Sequence, residues 1–122
     1  MVKRILSKAF FGKNNCLKAG LNDQKDFYFE FGKTTDKKIW TWKKVKMNDD
    51  ELGQILCVLE EKKNSVSFFH DFKGDKTQIW INKKEDVLFV KVKELSKSLS
   101  IGEQYVLREL IKYSILRMNM NL

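Results

Sequence analysis

The chain predicts an α+β fold: one domain with a mainly antiparallel, curved sheet of about five strands, one face covered by a central helix and a C-terminal helix. Three observations carry that expectation. Runs of residues alternate with period two, as half-buried strands do. Two other segments change to a helical period, and each opens on a capping-box pattern. The length of 122 residues, 43% of them hydrophobic, suffices for one core and is too short for two ordinary domains.

Taken in order, residues 1–25 are basic and carry short apolar pieces (Ile5-Leu6, Ala9-Phe10-Phe11, Leu17) broken by Gly12, Asn14-Asn15 and Gly20. Their period is ambiguous, so they read as a basic N-terminal arm or a short element ahead of a domain at 26–122. Asp26 to Lys33 alternates cleanly, with Phe27, Phe29 and Phe31 on one face, and reads as a core strand. The G-K-T-T-D-K segment from Gly32 to Lys37 is a turn. It contains G-K-T but lacks the upstream glycine of a phosphate-binding P-loop. Ile39 to Lys46 forms the next strand.

Asn48 then caps a helix, with Glu51 three residues on and Asp49 and Asp50 suited to the positive end of the helix dipole. Capping accounts for these acids better than catalysis does. Leu52, Ile55, Leu56 and Leu59 supply its apolar stripe. Three more strands follow, at Val66–Lys73, Lys76–Lys83 and Val87–Lys93, the first two joined by a hairpin around Gly74. Thr77, Ile79 and Ile81, and then Leu88, Val90 and Val92, define inward faces. Ser100 opens the last helix with Glu103 in the capping-box position, and its stripe of Val106, Leu107, Leu110, Ile111, Ile115 and Met118 runs to the chain's end. A helix this apolar either covers its own sheet or pairs with a second copy.

Net charge is +8, with a sequence pI near 9.5, which favours polyanionic partners. The charge is unevenly placed. Residues 1–47 hold 12 Lys/Arg against 4 Asp/Glu, a local +8, whereas residues 48–64 hold 2 against 5. Cys16 and Cys57 have no C-x-x-C spacing, and Cys57, inside an apolar helical pattern, reads as a buried thiol. A reducing, cytoplasmic setting fits this cysteine usage. No apolar run reaches transmembrane length and no signal-peptide core is present, so no membrane association is expected.

The basic excess coincides with I-W-T-W-K-K-V-K at Ile39–Lys46. Alternation places Trp40, Trp42, Lys44 and Lys46 on one face, with Lys43 on the other among Ile39, Thr41 and Val45. A W-T-W tripeptide alone is more often core than platform. The lysines beside it shift the balance, because lysine resists burial without a partner. Two further strands offer the same chemistry on their outer faces: Lys76, Gln78 and Trp80, then Phe89, Lys91 and Lys93. If these faces are shared, aromatic and basic groups interleave across one sheet surface, as stacking on bases and tracking of phosphates require. Stacking candidates are Trp40, Trp42 and Trp80, with Phe69 or Phe89. Phosphate candidates are Lys43, Lys44, Lys46, Lys76, Lys91 and Lys93.

No catalytic residue, metal ligand or cofactor site is assigned. His70 lies between Phe68 and Phe72 as a satisfied core or edge histidine, no second histidine supports zinc, and no G-x-S-x-G elbow supports a triad. Asp71 and Lys73 form a D-x-K without an upstream acidic partner, too little for a nuclease. The chain reads as a binding protein.

Element order and surface chemistry over residues 26–122 resemble the small single-strand DNA binders that do not use the OB fold: Whirly and Pur-alpha proteins, the transcription positive-cofactor family and archaeal ThermoDBP-type proteins. The resemblance implies a homodimer that binds single strands with little sequence preference. Single-stranded DNA is therefore the expected partner. The alternatives are an RNA-binding module and a protein-interaction or dimerisation domain acting through residues 100–122.

Overall fold

A computed structural model describes residues 2–120. Among them, eight strands and two helices run in the order β1 (Arg4–Phe11), β2 (Asn15–Asn22), β3 (Phe27–Thr34), β4 (Trp40–Met47), α1 (Asp49–Leu59), β5 (Ser65–Phe72), β6 (Asp75–Lys84), β7 (Val87–Val92), β8 (Leu95–Leu99) and α2 (Ile101–Asn119). The fold is α+β with antiparallel pairing throughout. It has two four-stranded sheets, β1-β2-β3-β4 and β5-β6-β7-β8, in place of the single sheet of about five strands that the sequence suggests. Four strands, not two, precede α1. The segment read as an arm supplies β1 and β2, with residue 1 outside the described residues. Residues 121 and 122, where the last helix was expected to continue, also lie outside them.

Local chemistry explains most of the boundaries. Both helices begin on complete capping boxes. Asn48 Oδ1 accepts the Glu51 N–H at 2.8 Å while Glu51 Oε1 accepts the Asn48 N–H at 2.9 Å, and Ser100 and Glu103 repeat the arrangement. Lys73 and Gly74 both take positive φ, which lets the β5–β6 hairpin close between paired Phe72 and Asp75. The β3–β4 loop is fixed by Asp36, whose carboxylate accepts the N–H groups of Lys38 at 2.9 Å and Ile39 at 3.0 Å. Those bonds hold the Asp36 carboxyl below its ordinary value.

One core joins the sheets and helices. Phe27, Phe29 and Phe31 are buried beside Leu17, Leu21, Val45 and Met47. Ile79, Ile81, Leu88, Val90 and Val92 line the second sheet's inner face. The helices pack on each other, α1 against β5 and β6 and α2 against strands of both sheets, with Leu52, Ile55, Leu107 and Ile111 in the core. β8 also touches β2 and β3, and Asn15 Nδ2 bonds the Ser96 carbonyl at 2.9 Å, which ties one sheet to the other. Cys16, not Cys57, is the buried thiol. Cys57 is only half-buried, because Val58 takes the inward position on α1. Burial pushes the Cys16 thiol up, against the opposing effect of Lys18 and Lys97.

Candidate nucleic-acid interface

Register across the first sheet assembles three rows on its outer face. Phe11, Cys16, Gly32 and Trp42 align in the first. Ala9, Lys18, Glu30 and Lys44 align in the second, and Ser7, Gly20, Tyr28 and Lys46 in the third. The first row has small residues in the middle and large aromatics at its ends, so the rings lean inward over the gap. An ideal Cβ at Gly32 would stand only 2.6 Å from the Trp42 ring, so the indole lies directly on glycine backbone. Trp40 stacks on Trp42 with centroids 5.6 Å apart and planes 22° apart, and Phe11 meets Trp40 edge-on at 6.5 Å. The Lys18 ammonium sits 4.3 Å from the Trp42 ring and the Lys44 ammonium 4.1 Å from Tyr28. Trp42 is 40% exposed and Phe11 66%. The result is a wet aromatic ledge bordered by cations.

The second sheet carries a smaller version. Ser67, Trp80, Lys91 and Ser96 form one outer row, and Ser65, Asn82, Phe89 and Ser98 the next. Small serines leave Trp80 and Phe89 about two-fifths exposed along a shallow groove. The Lys91 ammonium stands 5.8 Å from the Trp80 ring. Phe69 is exposed on edge strand β5, opposite Gln78.

The candidates therefore divide between two sheets and do not interleave on one surface: Trp40, Trp42, Lys44 and Lys46 on the first; Phe69, Lys76, Trp80, Phe89 and Lys91 on the second. Two lysines sit elsewhere than on outer faces. Lys43 shares the inner side of β4 with Val45 and Met47 and donates to Asp75 Oδ2 at 3.0 Å. Lys93 is in the β7–β8 turn with φ of 55°, because β7 ends at Val92, and its ammonium is 3.6 Å from Asp75 Oδ1. The Lys43 bond, with Lys93 adding to it, holds the Asp75 carboxyl below its usual range. Lys46 is paired with Asp26 at 3.1 Å, and that hydrogen bond raises its own value. Among the described residues, Lys18, Lys44, Lys76 and Lys91 have no carboxylate partner within 4.0 Å.

Sequence reasoning passed over Phe11, Lys18 and Tyr28. Each lies on a strand whose outer neighbours are too small or too mixed to announce a face, and only cross-strand register brings them to Trp42 and Lys44. His70 is half-buried at the edge of β5, its Nε2 2.6 Å from Glu51 Oε2. Among the described residues, no three His, Cys, Asp or Glu side chains gather in a metal-holding group, and no helix is long and apolar enough to cross a membrane.

Neither protein-family models nor curated proteins yield a match. Among solved structures, the chain is similar to one from "Crystal structures of trypanosoma bruciei MRP1/MRP2", with a TM-score of 0.59 over 92% of this chain and 83% of that one, at 11% sequence identity. Identity this low relates the two folds and carries no residue-level correspondence.

Proposed function

We propose that the protein binds single-stranded DNA with little sequence preference. Bases stack on the exposed aromatics of the sheets, and unpaired lysines contact phosphates. The observation that carries this reading is the Phe11–Trp40–Trp42 ledge with Lys18 and Lys44 beside it: stacked rings in water, edged by cations, on the sheet where the basic excess lies. A flat π-face accepts any base, so affinity without sequence preference follows from stacking. The order of four strands then a helix, twice over, is also the order that Whirly and Pur-alpha repeats usually run.

RNA recognition uses the same ledge, and discrimination then rests on the 2′-OH. Anisotropy titrations with labelled DNA and RNA oligomers of matched sequence test both forms. The reading expects binding of single strands well above that of duplex, and DNA at least equal to RNA. Equal affinity for duplex and single strands would overturn it.

A homodimer belongs to the same proposal. Tyr105, Val106, Tyr113 and Leu116 are exposed on α2, an apolar surface suited to a second copy. Its test is sedimentation of the wild-type chain against Val106→Glu/Leu116→Glu, which is expected to shift a dimer to monomer. The protein acts without catalysis, cofactor or membrane in this account.

A further inference from the structure

Between β4 and the β5–β6 hairpin lies a cleft of about 590 Å³, lined by Tyr28, Lys44, His70, Phe72, Asp75 and Thr77 among others. Two ammonium groups from different sheets converge on one carboxylate of its lining, Asp75; Lys43 lines the cleft too, and Lys93 reaches the carboxylate from beside it. Lys43 comes from β4 of the first sheet and Lys93 from the β7–β8 turn of the second, and they meet opposite oxygens of Asp75 at 3.0 and 3.6 Å. A phosphodiester presents the same pattern, one negative charge shared by two outward oxygens.

We propose that Asp75 occupies the position of a phosphate, and that this cleft is a phosphate subsite where a bound single strand passes from the Trp40–Trp42 ledge to the second sheet. The inference rests on the single-strand reading above and adds to it a site and an internal competitor. It also accounts for Lys43. Its stem lies on the inner side of β4 and its side chain is only a quarter exposed, so its charge meets a ligand in the cleft and not on the ledge.

Exchange of Asp75 for phosphate is cheap because the clamp is wet. The Asp75 side chain is 58% exposed and that of Lys93 45%, and ion pairs in such surroundings hold weakly. An incoming phosphate keeps both ammonium contacts while the freed carboxylate is hydrated. The other charged or titratable groups at the cleft are Lys44 and Asp71, together with Lys46 and His70, which pair with Asp26 and Glu51. Phe72, 71% exposed at the hairpin, and Tyr28 flank the passage with rings for the adjoining bases.

The test is Asp75→Asn, measured by anisotropy with labelled oligo-dT at several salt concentrations. Glu109→Gln, the same charge change on α2, serves as control, and thermal melts verify the fold. Asp75→Asn is expected to bind about 2- to 10-fold more tightly at low salt and to steepen the log–log salt slope by no more than about 0.7, the worth of the one phosphate that the two lysines share. Glu109→Gln should do neither. The gain should vanish in a Lys43→Gln/Lys93→Gln background, as coupled sites require. Wild-type binding with Asp75→Asn no different from Glu109→Gln would overturn the subsite and leave the single-strand reading standing. A gain that survives loss of both lysines would do the same. No binding by the wild-type chain would instead bring down the single-strand reading, and the subsite with it.

Discussion

The indole of Trp42 keeps its place because Gly32, its cross-strand partner, leaves room for the ring to lie on backbone. Adding a methyl there removes that seat. Gly32→Ala is expected to tilt Trp42 out of its stack with Trp40, seen as altered near-ultraviolet circular dichroism with an intact far-ultraviolet spectrum. Trp42→Ala tests the ring itself. A residue this exposed should cost the fold little, under about 4 °C in melting temperature, while each lost base stack weakens binding by about 1–3 kcal/mol. Asp36 carries a pH dependence. Its folded-state value is lowered by the Lys38 and Ile39 amides, so its contribution is complete above the ordinary aspartate range and is lost as pH falls through the lowered value. The protection of the Lys38 and Ile39 amides, their exchange relative to an unstructured chain at the same pH, should therefore fall as pH drops below the ordinary aspartate range. At this scale the sequence was informative on one strand at a time. Period two separated Trp40, Trp42 and Lys44 from Lys43. It could not pair Trp42 with Gly32 or bring Lys18 and Tyr28 alongside, since register is a relation between strands.

Among the elements, helices announced themselves most clearly, because capping chemistry is local in sequence. The two capping boxes nonetheless differ in what they hold. Glu103 serves its own helix start, whereas Glu51 also binds His70 and so fastens α1 to β5. Glu51→Ala is accordingly expected to destabilise the protein by about 1–2 kcal/mol more than Glu103→Ala, the worth of one further partly buried hydrogen bond; equal losses in denaturant titration would separate His70 from the fold's stability. Strands β1, β2 and β8 were obscure for identifiable reasons. β8 places Lys97 between inward Leu95 and Leu99, a buried lysine that bonds the Ser98 carbonyl at 2.7 Å and breaks the apolar pattern. β2 shows small residues outward (Cys16 and Gly20) because partners crowd that face. A Cβ on Gly20 would approach the Leu6 carbonyl of β1 to 2.7 Å. β1 is an edge strand whose register shifts between Arg4 and Leu6, so its alternation is interrupted.

For the whole molecule, the gradient of charge along the sequence becomes a division between sheets. Residues 1–47, with all of the local +8, are the segment that ends with β4, so the basic excess belongs to the sheet that bears the aromatic ledge. Composition made this legible before any strand was placed. That there are two sheets was not legible, since strand order is set by long-range contacts such as those of β8 with β2 and β3. Charge on one sheet also predicts how binding responds to salt: the logarithm of the affinity should fall linearly with the logarithm of salt concentration, with a slope of about 0.7 per phosphate contacted. The most direct measurement is intrinsic tryptophan fluorescence during titration with oligo-dT, repeated with duplex DNA and at several salt concentrations. The account predicts strong quenching by oligo-dT, a weak response to duplex and a steep decline with salt. No quenching at low salt would contradict it, leaving the Trp40–Trp42 ledge as packing and the exposed face of α2 as the working surface.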